Sequence, residues 1–225
     1  MGFKPSIFLV ASLHHSSTPI LRHFLSWALE KKYDSNSKDS VLPRANEMTI
    51  LTPAPLLSEY AHLFAPATID KPVLDLACGD GHNGVFLATR GARVVLADAS
   101  EQALEQARKL AEDNGVSVVL WKVDLEKEGE NPLRENDYSG LLVFRYLHRP
   151  LIPCIRNALA GNGLLIYETY TVDQPRFGRP QNPNFLLKPG ELMGWFEDWG
   201  IIHHFEGILD NPQRAVAQIV CRKTS

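Results

Sequence analysis

Cysteine is scarce in this chain of 225 residues: Cys78, Cys154 and Cys221 are all there is. An odd number at wide spacing excludes a disulfide framework and a zinc knuckle, and it points to a reducing compartment, the cytoplasm. No apolar run approaches the roughly 20 residues needed to span a bilayer, so no membrane partner is expected. An excess of positive charge is also missing. With 23 Lys and Arg against 26 Asp and Glu the net charge is -3, so no basic field recruits nucleic acid, and none is expected as a partner. The histidines are scattered or merely paired (His14-His15 and His203-His204), without the spacing of a metal site. Before Glu30 there is no acidic residue, while Lys4, Arg22, several serines and an apolar stripe stand there. That composition fits an N-terminal arm or extra helix, and it is shared with organellar transit peptides, the alternative to a purely cytoplasmic chain.

What is present is an ordinary globular composition, 44% hydrophobic and 22% charged, long enough to bury a core without staples. The chain divides near residue 47. Upstream, Pro19 to Lys32 reads as a helix with Leu21, Phe24, Leu25, Ala28 and Leu29 on one face, and Tyr33 to Asn46 as a polar linker. Residues 1–47 are therefore expected to be an extension and residues 48–225 the main domain. Downstream, strands and helices alternate, the mark of a parallel sheet covered on both faces. Strands are expected at Val73 to Leu76, Arg93 to Ala97, Val116 to Val123, Leu141 to Phe144 and Leu164 to Glu168. Helices are expected at Ala54 to Phe64, at His82 to Arg90 and after Ser100, which can N-cap a run with Ala103, Leu104, Ala107, Leu110 and Ala111 inward. Another follows from Pro150, with Leu151, Ile152, Ile155 and Leu159 inward, and one more runs from Gly190 to Trp199. Ile201 to Phe205 and Ala215 to Cys221 flank a short turn at Asp210-Asn211-Pro212, so these two strands must pair antiparallel. The fold class is α/β: a Rossmann-like seven-stranded sheet with helices on both faces and an antiparallel C-terminal hairpin.

The strongest chemical signal is Val73-Leu74-Asp75-Leu76-Ala77-Cys78-Gly79-Asp80-Gly81, a buried strand running into a glycine turn and then a helix. Such a turn leaves its backbone bare for a ligand, at the carboxyl ends of the strands where open parallel sheets bind theirs. Taken alone, Gly79-x-Gly81-x-x-Gly84 also satisfies the dinucleotide pattern of an NAD(P)-dependent oxidoreductase. Asp75, inside the strand, suits a cationic amino-acid ligand and is awkward beside a pyrophosphate. Asp98 ends the second strand, where an acid can accept both hydroxyls of a ribose; that acid is common to both ligand classes. Asp124-Leu125 ends the third, where a carboxylate and a backbone amide can bond an adenine edge.

The segment Val73 to Gly81 resembles motif I of the class I methyltransferases. More closely, the chain from about Thr52 to Lys223 resembles the TehB-like family of small methyltransferases, named for tellurite resistance. The likeness lies in Val73 to Gly81, Val94 to Ser100, Gly163 to Thr169, Phe185-Leu186-Leu187-Lys188-Pro189-Gly190-Glu191-Leu192, and Arg214 to Lys223. It implies S-adenosyl-L-methionine as methyl donor, with Asp75, Gly79 and Gly81 lining its methionine part, Asp98 its ribose, and Asp124 with Leu125 its adenine. It further implies a small-molecule acceptor, either a chalcogen oxyanion or a thiol. A donor-binding protein without turnover is the alternative, since a fold alone does not establish activity.

For the acceptor side, Arg145-Tyr146-Leu147-His148-Arg149 follows the fourth strand and rims the same crevice. Arg145 is expected to contact the donor carboxylate or the acceptor, and His148 the acceptor. The long, proline-stiffened stretch Thr171 to Lys188 is expected to act as a lid, with Arg176 and Arg179 as forks for an anion. Glu168 is expected either to act as a base or to anchor a lid arginine. No catalytic residue stands out, because a sulfonium donor needs positioning more than covalent help.

Overall fold

The computed structural model describes residues 51–64 and 71–225. The helix expected at 19–32, the linker after it and the boundary near residue 47 lie outside the described residues.

In chain order the elements are α1 (Pro55–Tyr60), β1 (Val73–Leu76), α2 (His82–Thr89), β2 (Val94–Asp98), α3 (Glu101–Asp113), β3 (Val119–Lys122), β4 (Tyr138–Phe144), α4 (Ile152–Ala158), β5 (Leu159–Tyr170), α5 (Glu191–Phe196), β6 (Gly200–Asp210) and β7 (Gln213–Arg222). The seven strands form one sheet in the order β3-β2-β1-β4-β5-β7-β6. The first five are parallel; β7 runs antiparallel to both β5 and β6. Strand order reverses direction between β1 and β4, and this switch opens a crevice at their carboxyl ends. Val73, Leu74, Leu76, Val94 to Ala97 and Leu141 to Val143 have no exposed surface, as strands covered on both faces require.

Local chemistry explains the helices. The Ser100 hydroxyl accepts from the Ala103 amide at 3.2 Å and starts α3, whose Leu104, Ala107, Leu110 and Ala111 are buried. Pro150 stands in a short 3-10 turn that leads into α4.

Several boundaries differ from the sequence expectation, among them that β4 begins at Tyr138 and that the first helix is α-helical only over Pro55–Tyr60. β5 begins at Leu159 rather than Leu164, because Gly161-Asn162-Gly163 does not end a helix but forms an irregularity inside the strand, with Asn162 at φ 62 and a register shift against β4. Leu159 consequently faces the core from the sheet, opposite Tyr138, and not from a helix. β3 is shorter than expected, an edge strand with a single neighbour. The hairpin strands are longer, because β7 gains hydrogen-bond partners on both sides by inserting between β5 and β6. The helix expected from Gly190 to Trp199 keeps its regular turns only over Glu191–Phe196.

Candidate active site

β1 ends in a turn that holds three carboxylates close together. Asp75 is 2% exposed, and its Oδ2 accepts from the Gly84 amide of α2 at 2.9 Å. Burial pushes its carboxyl up to about 7, and the nearby carboxylates of Asp80 and Asp98 add to the shift. Asp98, at the end of β2, accepts from the Gly79 amide at 2.9 Å with one oxygen and from the Ser100 amide at 2.8 Å with the other. A carboxylate has about four acceptor positions, so two remain for ligand hydroxyls. The Cys78 thiol is pushed up by burial and by the same carboxylates, which keeps it protonated and unreactive.

The three glycines of the turn have different reasons to be glycine. At Gly79 the backbone is left-handed (φ +55), and a Cβ there would meet nothing within 4 Å. Gly81 is also left-handed (φ +80), but a Cβ would stand 2.7 Å from Ala107 Cβ. Packing of the turn against α3 therefore requires glycine here, whatever the backbone of Gly81 contacts on its other side. At Gly84 a Cβ would stand 2.2 Å from Leu96 Cδ2. One glycine is open and two are tightly packed.

Two clefts open at this end of the sheet. The first, about 360 Å³, is lined by Cys78, Asp80 and His82 of the turn, Arg145, Glu168 and Arg214, among others. The stretch Thr52 to Pro55 closes one side, tied to α2 by the Ala54 amide donating to Asn83 Oδ1 at 2.8 Å. Asn211 and Pro212 at the tip of the β6–β7 hairpin reach the same cleft. The second, about 450 Å³, shares Arg145 and Tyr170 with the first and extends under the 171–190 loop. Arg145 follows β4 directly and holds a left-handed backbone (φ 56), with its amide donating to the Glu168 carbonyl at 2.8 Å. A non-glycine residue in this region costs on the order of 1 kcal/mol, and such outliers cluster at working sites.

The remaining expected residues divide. Asp124 is exposed and its Oδ1 accepts from the Glu126 amide at 2.9 Å, while Leu125 beside it is buried. Arg179 lines the second cleft. Arg176 does not line either cleft; it is exposed, 3.8 Å from Asp173 and stacked on Phe177 at 5.6 Å. His148 is half-buried at the head of the 3-10 turn before α4 and lines neither cleft, because the chain turns away from the crevice after Leu147. Glu168 is 5% exposed and accepts from Gln218 Nε2, with the Arg214 guanidinium at 3.8 Å. Its arginine comes from β7 and not from the loop.

Sequence reading missed three contributors. His82 lines the first cleft with its Nε2 3.4 Å from Asp80 Oδ2, and its Nδ1 is buried without a partner among the described residues. Its place directly after the glycine turn was the available signal. Arg214 could not have been found, since only pairing of β7 with β5 brings it to Glu168. Arg149 was seen only as part of the rim. Its guanidinium binds Glu191 in a two-pronged pair (2.7 and 2.8 Å) and donates to the carbonyls of Asn184 (3.0 Å) and Leu186 (2.9 Å). Buried Gln174 adds a second tie, from its Nε2 to the Arg179 carbonyl and from the Ala215 amide to its Oε1. The loop is anchored at both points, unlike a free lid. Arg149→Lys keeps the charge but loses the fork. It is expected to lower stability in denaturant unfolding by about 1–3 kcal/mol, because the partly buried Glu191 carboxylate and Leu186 carbonyl lose donors.

Similarity to known proteins identifies the family. Residues 73–161 match the family described as a methyltransferase domain. The ubiquinone biosynthesis O-methyltransferase of Actinobacillus pleuropneumoniae serotype 5b is 36% identical over 164 residues, which cover 63% of this chain and 70% of that protein. The chain belongs to the S-adenosylmethionine-dependent methyltransferases. The probable methyltransferase TehB of Haemophilus influenzae is 26% identical over 144 residues, spanning 60% of this chain but only 48% of that relative. The crystal structure of TehB from Haemophilus influenzae superposes with a TM-score of 0.61 at 21% identity, covering 75% of this chain and 61% of that one. The methyltransferase thus shares its fold with TehB, and the dinucleotide reading of Gly79-x-Gly81-x-x-Gly84 falls away. No helix among the described residues is long and apolar enough to cross a membrane, and none of their His, Cys, Asp and Glu side chains cluster as a metal site.

Proposed function

We propose that this methyltransferase carries a methyl group from S-adenosylmethionine to a soft nucleophile on a small molecule, a thiol or a chalcogen oxyanion. The observation that carries the reading is the open space over Gly79, in a turn near which the carboxylates of Asp75, Asp80 and Asp98 stand close enough to act on one another. That concentration of acid disfavours a pyrophosphate and favours a ligand with an ammonium and a sulfonium. In this reading Gly79 is the floor for the methionine part and Asp75 supplies charge beneath it. Asp98 receives the ribose hydroxyls, Asp124 and the Leu125 amide receive the adenine, and Arg145 takes the donor carboxylate. The bound donor supplies an electrophilic methyl: the acceptor's lone pair forms the new bond to carbon as the carbon–sulfonium bond breaks and its electrons return to sulfur. The first cleft then needs to align and to exclude water. Glu168, held by Gln218 and Arg214, is poorly placed to take a proton, which favours an acceptor that arrives deprotonated. The free thiols of the chain suit the cytoplasm as the place of reaction.

Uptake of S-adenosylhomocysteine, measured by calorimetry against NADH as control, tests the donor site. The pH dependence is decided by Asp75. Its folded value near 7 lies above the usual carboxylate value of 3.8, so the folded protein holds its proton more tightly than the unfolded chain does. The stability gained from that proton is complete below about pH 4 and is lost as pH rises to 7. The sulfonium of S-adenosylmethionine favours the ionised form, so uptake of the donor itself releases the proton and its affinity is expected to rise about tenfold from pH 6 to pH 8. Asp75→Asn keeps an acceptor for the Gly84 amide and should flatten that rise. A pH-independent affinity in the parent protein would remove Asp75 from the site.

A further inference from the structure

The second cleft contains more than the transfer of a methyl group requires. A three-oxygen chalcogen anion occupies on the order of 100 Å³, scaling from about 30 Å³ for a water, whereas this cleft measures about 450 Å³. It is lined by Tyr146, Tyr170 and Phe185, by Leu147 and Pro180, by the guanidinium-bearing Arg145 and Arg179, and by the single carboxylate of Glu126. Leu147 is buried. The Tyr146 hydroxyl is buried close to the Glu126 carboxylate but outside hydrogen-bond geometry with any described residue.

Phe185 is the informative member. It is 46% exposed, the most exposed large hydrophobic side chain among the described residues. An exposed ring on a loose loop would mean little. Here the backbone on both sides of the ring is fixed: Arg149 holds the carbonyls of Asn184 and Leu186, Asn182 Oδ1 accepts from the Asn184 amide at 3.0 Å, and the Phe185 amide donates to the Asn182 carbonyl. The Arg149–Glu191 pair locks that arrangement to α5. Across the cleft, the Arg179 carbonyl is held by buried Gln174. An apolar ring and a guanidinium are thus both presented from anchored backbone, which is how recognition sites lower the ordering cost of binding. Neither Arg145 nor Arg179 has an ion-pair partner among the described residues.

We propose that this cleft is the acceptor site and that it selects an aromatic body bearing a carboxylate or similar anion, stacked among Tyr146, Tyr170 and Phe185 with its anion on Arg179. The inference rests on the methyl-transfer reading above and narrows its acceptor. Continuity with the first cleft supplies the route. Arg145 and Tyr170 belong to both, so an acceptor seated against Phe185 can extend its nucleophile past Tyr170 toward the glycine turn. Aromatic rings prefer offset or edge-on neighbours, and a planar carboxylate matches the fork of an arginine. A bare oxyanion or an aliphatic thiol carboxylate uses only the second of these features, and an aliphatic thiol without an anion neither.

The test uses the full chain with four acceptors: 4-mercaptobenzoate, thiophenol, mercaptoacetate and tellurite. Each thiol attacks as its thiolate, so the new carbon–sulfur bond needs no proton acceptor in the protein. The expected order of kcat/KM places 4-mercaptobenzoate first. Phe185→Ala should lower kcat/KM about tenfold for the two aryl thiols, through KM, and leave mercaptoacetate unchanged. Arg179→Gln should lower it for the two carboxylates and spare thiophenol. A second readout needs no turnover: calorimetric binding of 4-(methylthio)benzoate to the protein saturated with S-adenosylhomocysteine, weakened by either substitution. Equal use of tellurite and 4-mercaptobenzoate, a uniform effect of Phe185→Ala on all acceptors, or no uptake of 4-(methylthio)benzoate would each overturn the proposal. Binding of S-adenosylhomocysteine alone, unchanged in both variants, keeps such a failure separate from failure of the donor site.

Discussion

Gly79→Val is expected to leave a folded protein that no longer takes up S-adenosylhomocysteine, with affinity reduced at least about 100-fold. The backbone at Gly79 is left-handed (φ +55), and a branched side chain there costs on the order of 1–3 kcal/mol. For a domain of this size that lowers the melting temperature by roughly 2–12 °C. Among the described residues, its own chain neighbours apart, no atom lies within 4 Å of the new Cβ, so the core gains no clash, and the Asp98 carboxylate can still accept from the residue 79 amide. In the proposed donor site the added methyls instead stand in the space that the ligand needs. An Ala at the same place incurs much of the backbone cost with less obstruction. The series glycine, alanine, valine should therefore separate the two effects, stability falling early and affinity falling late. Calorimetry beside thermal unfolding reads both. A valine variant that binds with the parent affinity would show that the donor lies elsewhere.

The same motif contains the opposite case. Gly84→Ala is expected to unfold the protein more easily by about 2–3 kcal/mol, and Gly84→Val to prevent folding. In an ordinary helix, glycine to alanine gains about 1 kcal/mol. At this position the new Cβ would lie 2.2 Å from Leu96 Cδ2, 3.0 Å from Val94 Cγ1 and 3.1 Å from Asp75 Oδ2. Leu96 and Val94 are fully buried on β2, so the leucine end has no open side to move into and α2 must lift from the sheet. Overpacking of this kind costs about 1–3 kcal/mol, and lifting α2 also stretches the Gly84–Asp75 hydrogen bond. These losses exceed the helix gain, which decides the sign. Denaturant unfolding of Gly84→Ala, alone and combined with Leu96→Ala, checks the cause: the pair should be less destabilised than the sum of the single changes. Additive effects, or a neutral Gly84→Ala, would mean that Leu96 gives way freely.

The two positions give one short glycine pattern two different surroundings, which spacing alone could not tell apart. Gly79-x-Gly81-x-x-Gly84 was readable as a turn before any coordinate was known, but only the neighbours of each missing Cβ divide it into an open position and two packed ones.

By itself the sequence determined the sheet of this protein and the glycine turn that ends β1. Buried strands written as apolar runs, a Ser100 cap, a carboxylate at the end of β2 and a glycine turn after β1 are local signals, each set by residues within a few positions of one another. The parallel sheet and its antiparallel close follow from the same signals, because a connection as short as Asn211-Pro212 permits no other pairing. The surroundings of the two clefts were decided by tertiary structure. Arg149 reaches Glu191 and Asn184, Arg214 reaches Glu168, and Ala54 reaches Asn83, all between residues 29 to 46 apart in the chain. Nothing in the spacing of those residues announces such contacts. A loop arginine looks the same in sequence whether it is stacked in solvent like Arg176, lines a cleft like Arg179, or holds the backbone on either side of Phe185 as Arg149 does. What separates them is which buried acceptors the fold leaves within reach, since an unpaired carbonyl in the interior must find a donor and a solvated one need not.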